Sequence, residues 1–155
     1  MLVKYHIILG AIASFLIYLA FQITPFQATI IFLASFLIDF DHYLAYIFYK
    51  KDLSLHHACL WFLERRRKWV KLTKKQKEEY KRVILIFHGI EFLIILLALS
   101  FYNKIFLFVL IGISIHLILD YIDQIYYGDK IYSKLSQIFV YLKNKNKKEF
   151  QYSIK

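Results

Sequence analysis

The sequence predicts an all-α polytopic membrane protein, with four transmembrane helices and one amphipathic interfacial helix in a basic cytoplasmic loop, as a single membrane domain over residues 1–155. Three observations carry that prediction. The chain is 59% hydrophobic and 19% aromatic with a mean hydropathy of +0.47, more apolar than an ordinary soluble domain of its length. Its apolar residues gather into four runs, each near or above the ~17 residues needed to span a bilayer. Its basic residues collect between those runs, which points to topology.

The elements follow in order. The first span covers 6–21 and is the shortest. It competes with a signal-peptide reading, which it does not fit, having little charge before it and no A-x-A site followed by a polar chain. The turn Gln22-Ile23-Thr24-Pro25 ends it, and Pro25 suits the first turn of the next helix because no N–H is needed there. The second span runs over 26–49, the third over 83–102, and after Asn103-Lys104 the fourth over 105–127. Gly10, Ala11, Ser14, Ala34, Ser35, Gly112 and Ser114 allow helices to approach closely.

Charge sets the expected orientation. The 50–82 connection carries twelve Lys and Arg, the tail 128–155 carries seven, Lys4 lies before the first span, and only Lys104 falls on the opposite side. Both termini and the large loop are therefore expected in the cytoplasm, in a multi-pass protein of the cell (inner) membrane. Within the loop, Leu53, Leu55, Leu60, Trp61, Phe62, Trp69 and Val70 interleave with Arg65, Arg66, Arg67 and Lys68. That pattern reads as a helix in the headgroup region, anchored by its tryptophans, with the basic run meeting anionic lipid or a lipid-like substrate. No nucleic-acid partner is expected, since no binding fold accompanies the charge. The single Cys59 excludes an intrachain disulfide and a C-x-x-C motif.

The chemistry lies in ionisable residues inside the apolar runs: His6; Asp39, Asp41 and His42; His88 and Glu91; His116, Asp120 and Asp123. Such groups persist in hydrocarbon where they pair, bind metal or line a polar path. At ~1.5 Å rise per residue, His88 lies ~8 Å inside its span, His42 ~10 Å, and His116 to Asp120 ~10–17 Å, all from the cytoplasmic side. His116, Asp120 and Asp123 stand at i, i+4 and i+7, and His88 with Glu91 and Asp39 with His42 at i, i+3, so each set can share a helix face. A lone membrane histidine is more often an interhelical hydrogen bond, but several at one depth point to a shared site.

The expected ligands of a divalent metal are therefore His6, Asp39, His42, His88, His116 and Asp120, with zinc the first choice and manganese or iron the alternatives, since no thiolate is present. Asp41, Glu91 and Asp123 are candidates for orienting ligands or acting as general base. His56 and His57 precede the loop helix as possible accessory residues.

Two strings carry a resemblance. Leu37-Ile38-Asp39-Phe40-Asp41-His42 resembles the L-P-D-I-D-H signature of the membrane-bound metal-dependent hydrolases, a group of small multispan prokaryotic proteins. His116-Leu117-Ile118-Leu119-Asp120 is similar to that family's H-x-x-x-D element, His6 to its early histidine, and Phe87-His88-Gly89 stands where it has T-H-S. Ile38 replaces the signature proline, and the family's H-R-G-x-T-H-S is not intact around His88. More remotely, the pattern is similar to the helical zinc-dependent phospholipases C. The resemblance implies metal-dependent hydrolysis of a phosphoester, without naming the substrate.

The expected activity is thus a membrane-embedded hydrolase that acts on a lipid or membrane-associated phosphoester through a metal-activated water. The alternative is a divalent metal or proton transporter using the same residues as a relay, although the outer half offers few polar groups to complete a path. Haem ligation is disfavoured by the neighbouring carboxylates.

Overall fold

A computed structural model describes residues 3–130 and 132–150. It is all-helical, with no β-strand among the described residues. The chain forms α1 (Val3–Phe21), α2 (Pro25–Leu37), α3 (Phe40–Lys50), α4 (Leu55–Trp69), α5 (Lys74–Glu79), α6 (Ile90–Ser100), α7 (Ile105–Tyr126), α8 (Tyr132–Leu135) and α9 (Gln137–Asn144). Among the described residues, three stretches are long and apolar enough to cross a membrane: Val3–Phe21, Pro25–Lys50 and Ile105–Tyr126.

Local chemistry explains the boundaries. Thr24 caps α2 by accepting from the Gln27 amide, Gln27 Oε1 accepts from the Thr24 amide at 2.8 Å, and Pro25 fills the first turn. The second stretch is one apolar run but two helices. At the joint the amides of Asp39, Asp41 and His42 bond the carbonyls three residues back, at Phe36, Ile38 and Asp39. That tightening re-aims the D-x-D-H string relative to α2.

The third predicted span differs most from expectation. Residues 81–89 are not helical, and α6 starts at Ile90 behind Gly89, leaving an 11-residue helix ~16 Å long. The reason is competition for the backbone. The Arg82 amide donates to Asn144 Oδ1, Leu85 to Gln137 Oε1 and Phe87 to Asp41 Oδ2, so side chains from distant elements take amides that a helix would bond internally.

Packing places α2 between α1 and α7, with α6 against α7. Two glycines set the spacing. A Cβ on Gly10 would stand 2.0 Å from Ser35 Oγ, and one on Gly112 would stand 2.4 Å from the Ile31 carbonyl oxygen. Ile38, Leu96, Ile113 and Leu117 form the buried core between these helices, while most apolar side chains elsewhere on α1, α6 and α7 face outward.

A second layer joins the C-terminal end of α7. Here the tryptophans differ from the predicted membrane anchors: Trp61 is buried with Tyr46 and Ala58, and Trp69 is buried with its Nε1 donating to Asp129 at 3.0 Å. An amphipathic helix turns its largest apolar rings toward whatever apolar surface is nearest, and the end of α3 supplies one.

Candidate metal centre

The helices bring six predicted residues together. His6 comes from α1, Asp39 from the α2–α3 joint, His42 from α3, His88 from the segment before α6, and His116 and Asp120 from α7. Three overlapping groups, His6–Asp39–His116, Asp39–His42–His88 and His88–His116–Asp120, each offer ligand atoms within 4.8 Å of one another. His6, His88, His116 and Asp120 are fully or almost fully buried. His116 Nε2 lies 3.6 Å from Asp39 Oδ1 and 3.4 Å from Asp120 Oδ2, and His88 Nε2 lies 3.8 and 3.9 Å from the same two oxygens. His6 stacks on His116 with ring centroids 3.8 Å apart, its Nε2 3.4 Å from Asp120 Oδ1.

The far sides of two rings define their protonation. His116 Nδ1 lies 2.9 Å from the Ser35 carbonyl oxygen, which can only accept, so this nitrogen carries the hydrogen. His88 Nδ1 lies 3.2 Å from Asp41 Oδ2, and the same reasoning makes it a donor. Both Nε2 atoms of the neutral rings are then lone pairs, and they face each other at 3.1 Å. Two acceptors at that distance repel unless a cation, either a proton or a metal ion, lies between them. Ligands ~2.0–2.1 Å from a common ion stand about 2.9–3.4 Å apart, so the spacing fits a shared metal. Other atoms agree: both His6 nitrogens, His42 Nδ1 and Asp39 Oδ2 are buried without a hydrogen-bond partner. These buried His and Asp groups could hold a metal ion, as nitrogen and oxygen donors without thiolate.

The remaining candidates lie elsewhere. Asp41 is buried beside the group and orients His88 while accepting from the Phe87 amide at 2.8 Å. Glu91 faces away and caps α9, accepting from Ser136 Oγ and the amides of Gln137 and Ile138. Asp123 receives a two-pronged bond from Arg66 at 2.9 and 3.0 Å, tying α7 to α4. Arg65 donates to the Lys81 carbonyl at 3.1 Å, and neither Arg67 nor Lys68 borders the large cavity beside the centre. His57 pairs with Asp52 at 2.8 Å, and both it and His56 are exposed outside the group.

Two participants carried no signal in the sequence. Lys134 of α8 contacts Asp120 Oδ2 directly, although in sequence it is one of several tail lysines. Ser35 contributes through its backbone oxygen, which no side-chain motif can reveal.

Among the described residues, fold and site together give an all-helical arrangement with three apolar helical stretches long enough to cross a membrane and a buried His/Asp group able to hold a metal ion. Compared with family models, characterised proteins and solved structures, the chain matches none.

Proposed function

We propose that this chain is a membrane-embedded, metal-dependent hydrolase that cleaves a phosphoester of a membrane-associated substrate, as the resemblance of its D-x-D-H and H-x-x-x-D strings to the membrane-bound metal-dependent hydrolases implies. The observation that carries the reading is the facing pair of His88 and His116 Nε2 atoms at 3.1 Å, each ring with an acceptor behind it. Asp39, His88, His116 and Asp120 would hold the ion, with His6 and His42 completing the donor set. The chemistry such an ion supplies is Lewis-acid activation of water and of a phosphoryl oxygen at neutral pH.

The protein groups do the rest. Asp41 and the Ser35 carbonyl keep two imidazoles in the tautomer that turns Nε2 inward. Asp39 borders the large cavity, so an ion held there would lie close to that side. In the membrane, the segment 83–102 makes the fourth crossing with α6 as its helical part, and both termini and the 50–82 loop face the cytoplasm. α4 lies at the interface there, with Leu55, Leu60 and Leu63 exposed toward lipid.

The test uses full-length protein in maltoside micelles. Metal content by mass spectrometry and hydrolysis of a panel of phosphomonoesters and phosphodiesters are measured before and after chelation. Bound transition metal and metal-dependent cleavage are expected. Metal without cleavage of any ester would remove the enzyme reading and favour a transporter, which uptake into sealed vesicles would then show.

A further inference from the structure

The inner face of α9, formed by Gln137, Val140 and Asn144, is buried against the non-helical segment before α6. Gln137 Oε1 accepts from the Leu85 amide at 3.0 Å and Gln137 Nε2 donates to the His88 carbonyl at 3.3 Å. One side chain thus grips the backbone at both ends of the turn 85–88. Asn144 does the same at a single residue, accepting from the Arg82 amide at 3.0 Å and donating to its carbonyl at 2.9 Å. The turn itself is closed by one backbone bond, from the His88 amide to the Leu85 carbonyl at 3.0 Å.

Gly89 makes this grip sterically feasible. A Cβ there would overlap Glu91 Oε2 and stand 3.1 Å from Gln137 Cγ and 3.2 Å from the Gln137 nitrogen, so the first turn of α9 comes this close because position 89 has no side chain. The gripped residues have a competing conformation. Residues 83–102 are an apolar run that as one helix would be ~30 Å long, against ~16 Å for α6 alone. Such a helix would bond the amides of 85–88 internally and take the Phe87 amide from Asp41. It would also stand His88 one turn before Glu91, on the face that meets α9, and draw its ring from His116.

We propose that Gln137 is a positioning residue for His88: it holds 85–88 out of a lengthened α6 and so keeps the imidazole in the His/Asp group. That His88 ligates metal rests on the metal-centre reading above; that Gln137 holds it out of a helix does not. Grip and ligation favour the same conformation, so each strengthens the other, and the tail helix α9 is coupled to the occupancy of a site it does not touch with a ligand of its own.

The test uses full-length protein in maltoside, labelled with 13C at the Cα of its six histidines, with the His88 resonance assigned through His88→Asn. Gln137→Met, similar in shape and unable to make these bonds, should move His88 to a helical 13Cα shift in metal-free protein and weaken zinc binding about 10–100-fold. Adding Ile86→Pro should reverse both changes. Ile86 is exposed at the second position of the turn 85–88, where proline is favoured, and proline there blocks a helix through the segment. Should Gln137→Met not fold, Gly89→Ala makes the same test, since it displaces Gln137 and favours helix. Ile86→Pro alone should keep the parent's shift and zinc affinity.

A His88 that stays non-helical in the folded variant overturns the proposal whatever the metal does. So does a helical His88 with unchanged zinc affinity, or loss of the parent fold through Ile86→Pro alone. A helical His88 returned to its turn by Ile86→Pro, in a chain whose parent takes up no zinc, would support the hold of Gln137 on the backbone and remove the metal-centre reading alone.

Discussion

Two polar clusters sit a few turns apart near the end of α7, and they are built on opposite principles. Around Asp129, the carboxylate meets Trp69 Nε1 at 3.0 Å, Lys77 Nζ at 3.4 Å and an Arg82 nitrogen at 3.5 Å, while Lys77 also donates to the Tyr127 carbonyl. Donors there outnumber acceptors, and the cluster fastens α4, α5 and the segment before α6 to the end of α7. Around Asp120, imidazole lone pairs and carboxylate oxygens face one another, and Lys134 is the only Lys or Arg seen to pair with a carboxylate of that group among the described contacts. Burial of charge is costly in both, but in the first each cation faces a carboxylate of the cluster itself. A cluster complete in itself is a fastening; one made of inward-facing acceptors fits a guest cation.

The widest separation between the two comes from removing a ligand. His116→Ala should reduce bound metal from about one ion per chain to background, and chelation of the parent should lower its melting temperature, as loss of a ligand at a thousandfold excess over Kd removes ~4 kcal/mol. Metal analysis and a thermal melt in micelles check both. A parent whose melt is indifferent to chelator and to added zinc or manganese would put the Asp120 cluster in the same structural class as the Asp129 cluster.

Asp129→Ala is the complementary break. It leaves Lys77 and Arg82 buried without their carboxylate and should destabilise the fold by about 3–5 kcal/mol while metal stoichiometry in the folded fraction stays unchanged. Loss of metal in protein that remains folded would mean that the two clusters are one unit.

Asp41→Asn sharpens the comparison from the side. An amide can no longer hold His88 Nδ1–H as strongly, so metal affinity should fall about 10–100-fold without abolishing binding, read by competition with a metal indicator.

The smallest effect lies at the start of α4. The Tyr46 hydroxyl, the Ser54 amide and the His57 ring hold the Asp52 carboxyl down to about 2 from an ordinary 3.8. A depressed folded pKa adds stability above the unfolded value and loses it as pH falls from about 4 to 2. Asp52→Asn should therefore flatten acid unfolding in that window, with its loss of stability present at neutral pH and vanishing as pH falls to about 2, which acid titration followed by tryptophan fluorescence would show.

How much of this was legible in the sequence depends on distance along the chain. Helix composition, the Thr24–Pro25 start of α2, the glycine contacts of Gly10 and Gly112 and the residues gathered in the His/Asp group all follow from local propensity and spacing. Span number and side are topological statements that a charge count proposes and labelling would check: single cysteines at positions 75 and 103, on a Cys59→Ser background, should report opposite sides of the membrane. What spacing could not yield were partnerships across the chain. His88 and Glu91 at i, i+3 read as one helical face, yet Asp41, Gln137 and Asn144 draw the amides of 82–87 out of helical bonding. His88 is thereby left before α6 and Glu91 in its first turn, one turned to the centre and the other to α9.

The sequence by itself determined that this chain is helical and apolar, and which imidazoles and carboxylates lie in its apolar runs. Only the tertiary structure decided which of them meet, that Asp123 serves Arg66 and Glu91 serves α9, that both tryptophans turn inward, and that Lys134 reaches Asp120 from the tail. The physical reason is that periodicity encodes the face a residue shares with neighbours three or four positions away. Which acceptor a buried donor finds tens of residues away is settled by packing, where every polar group competes at once for the few partners within reach.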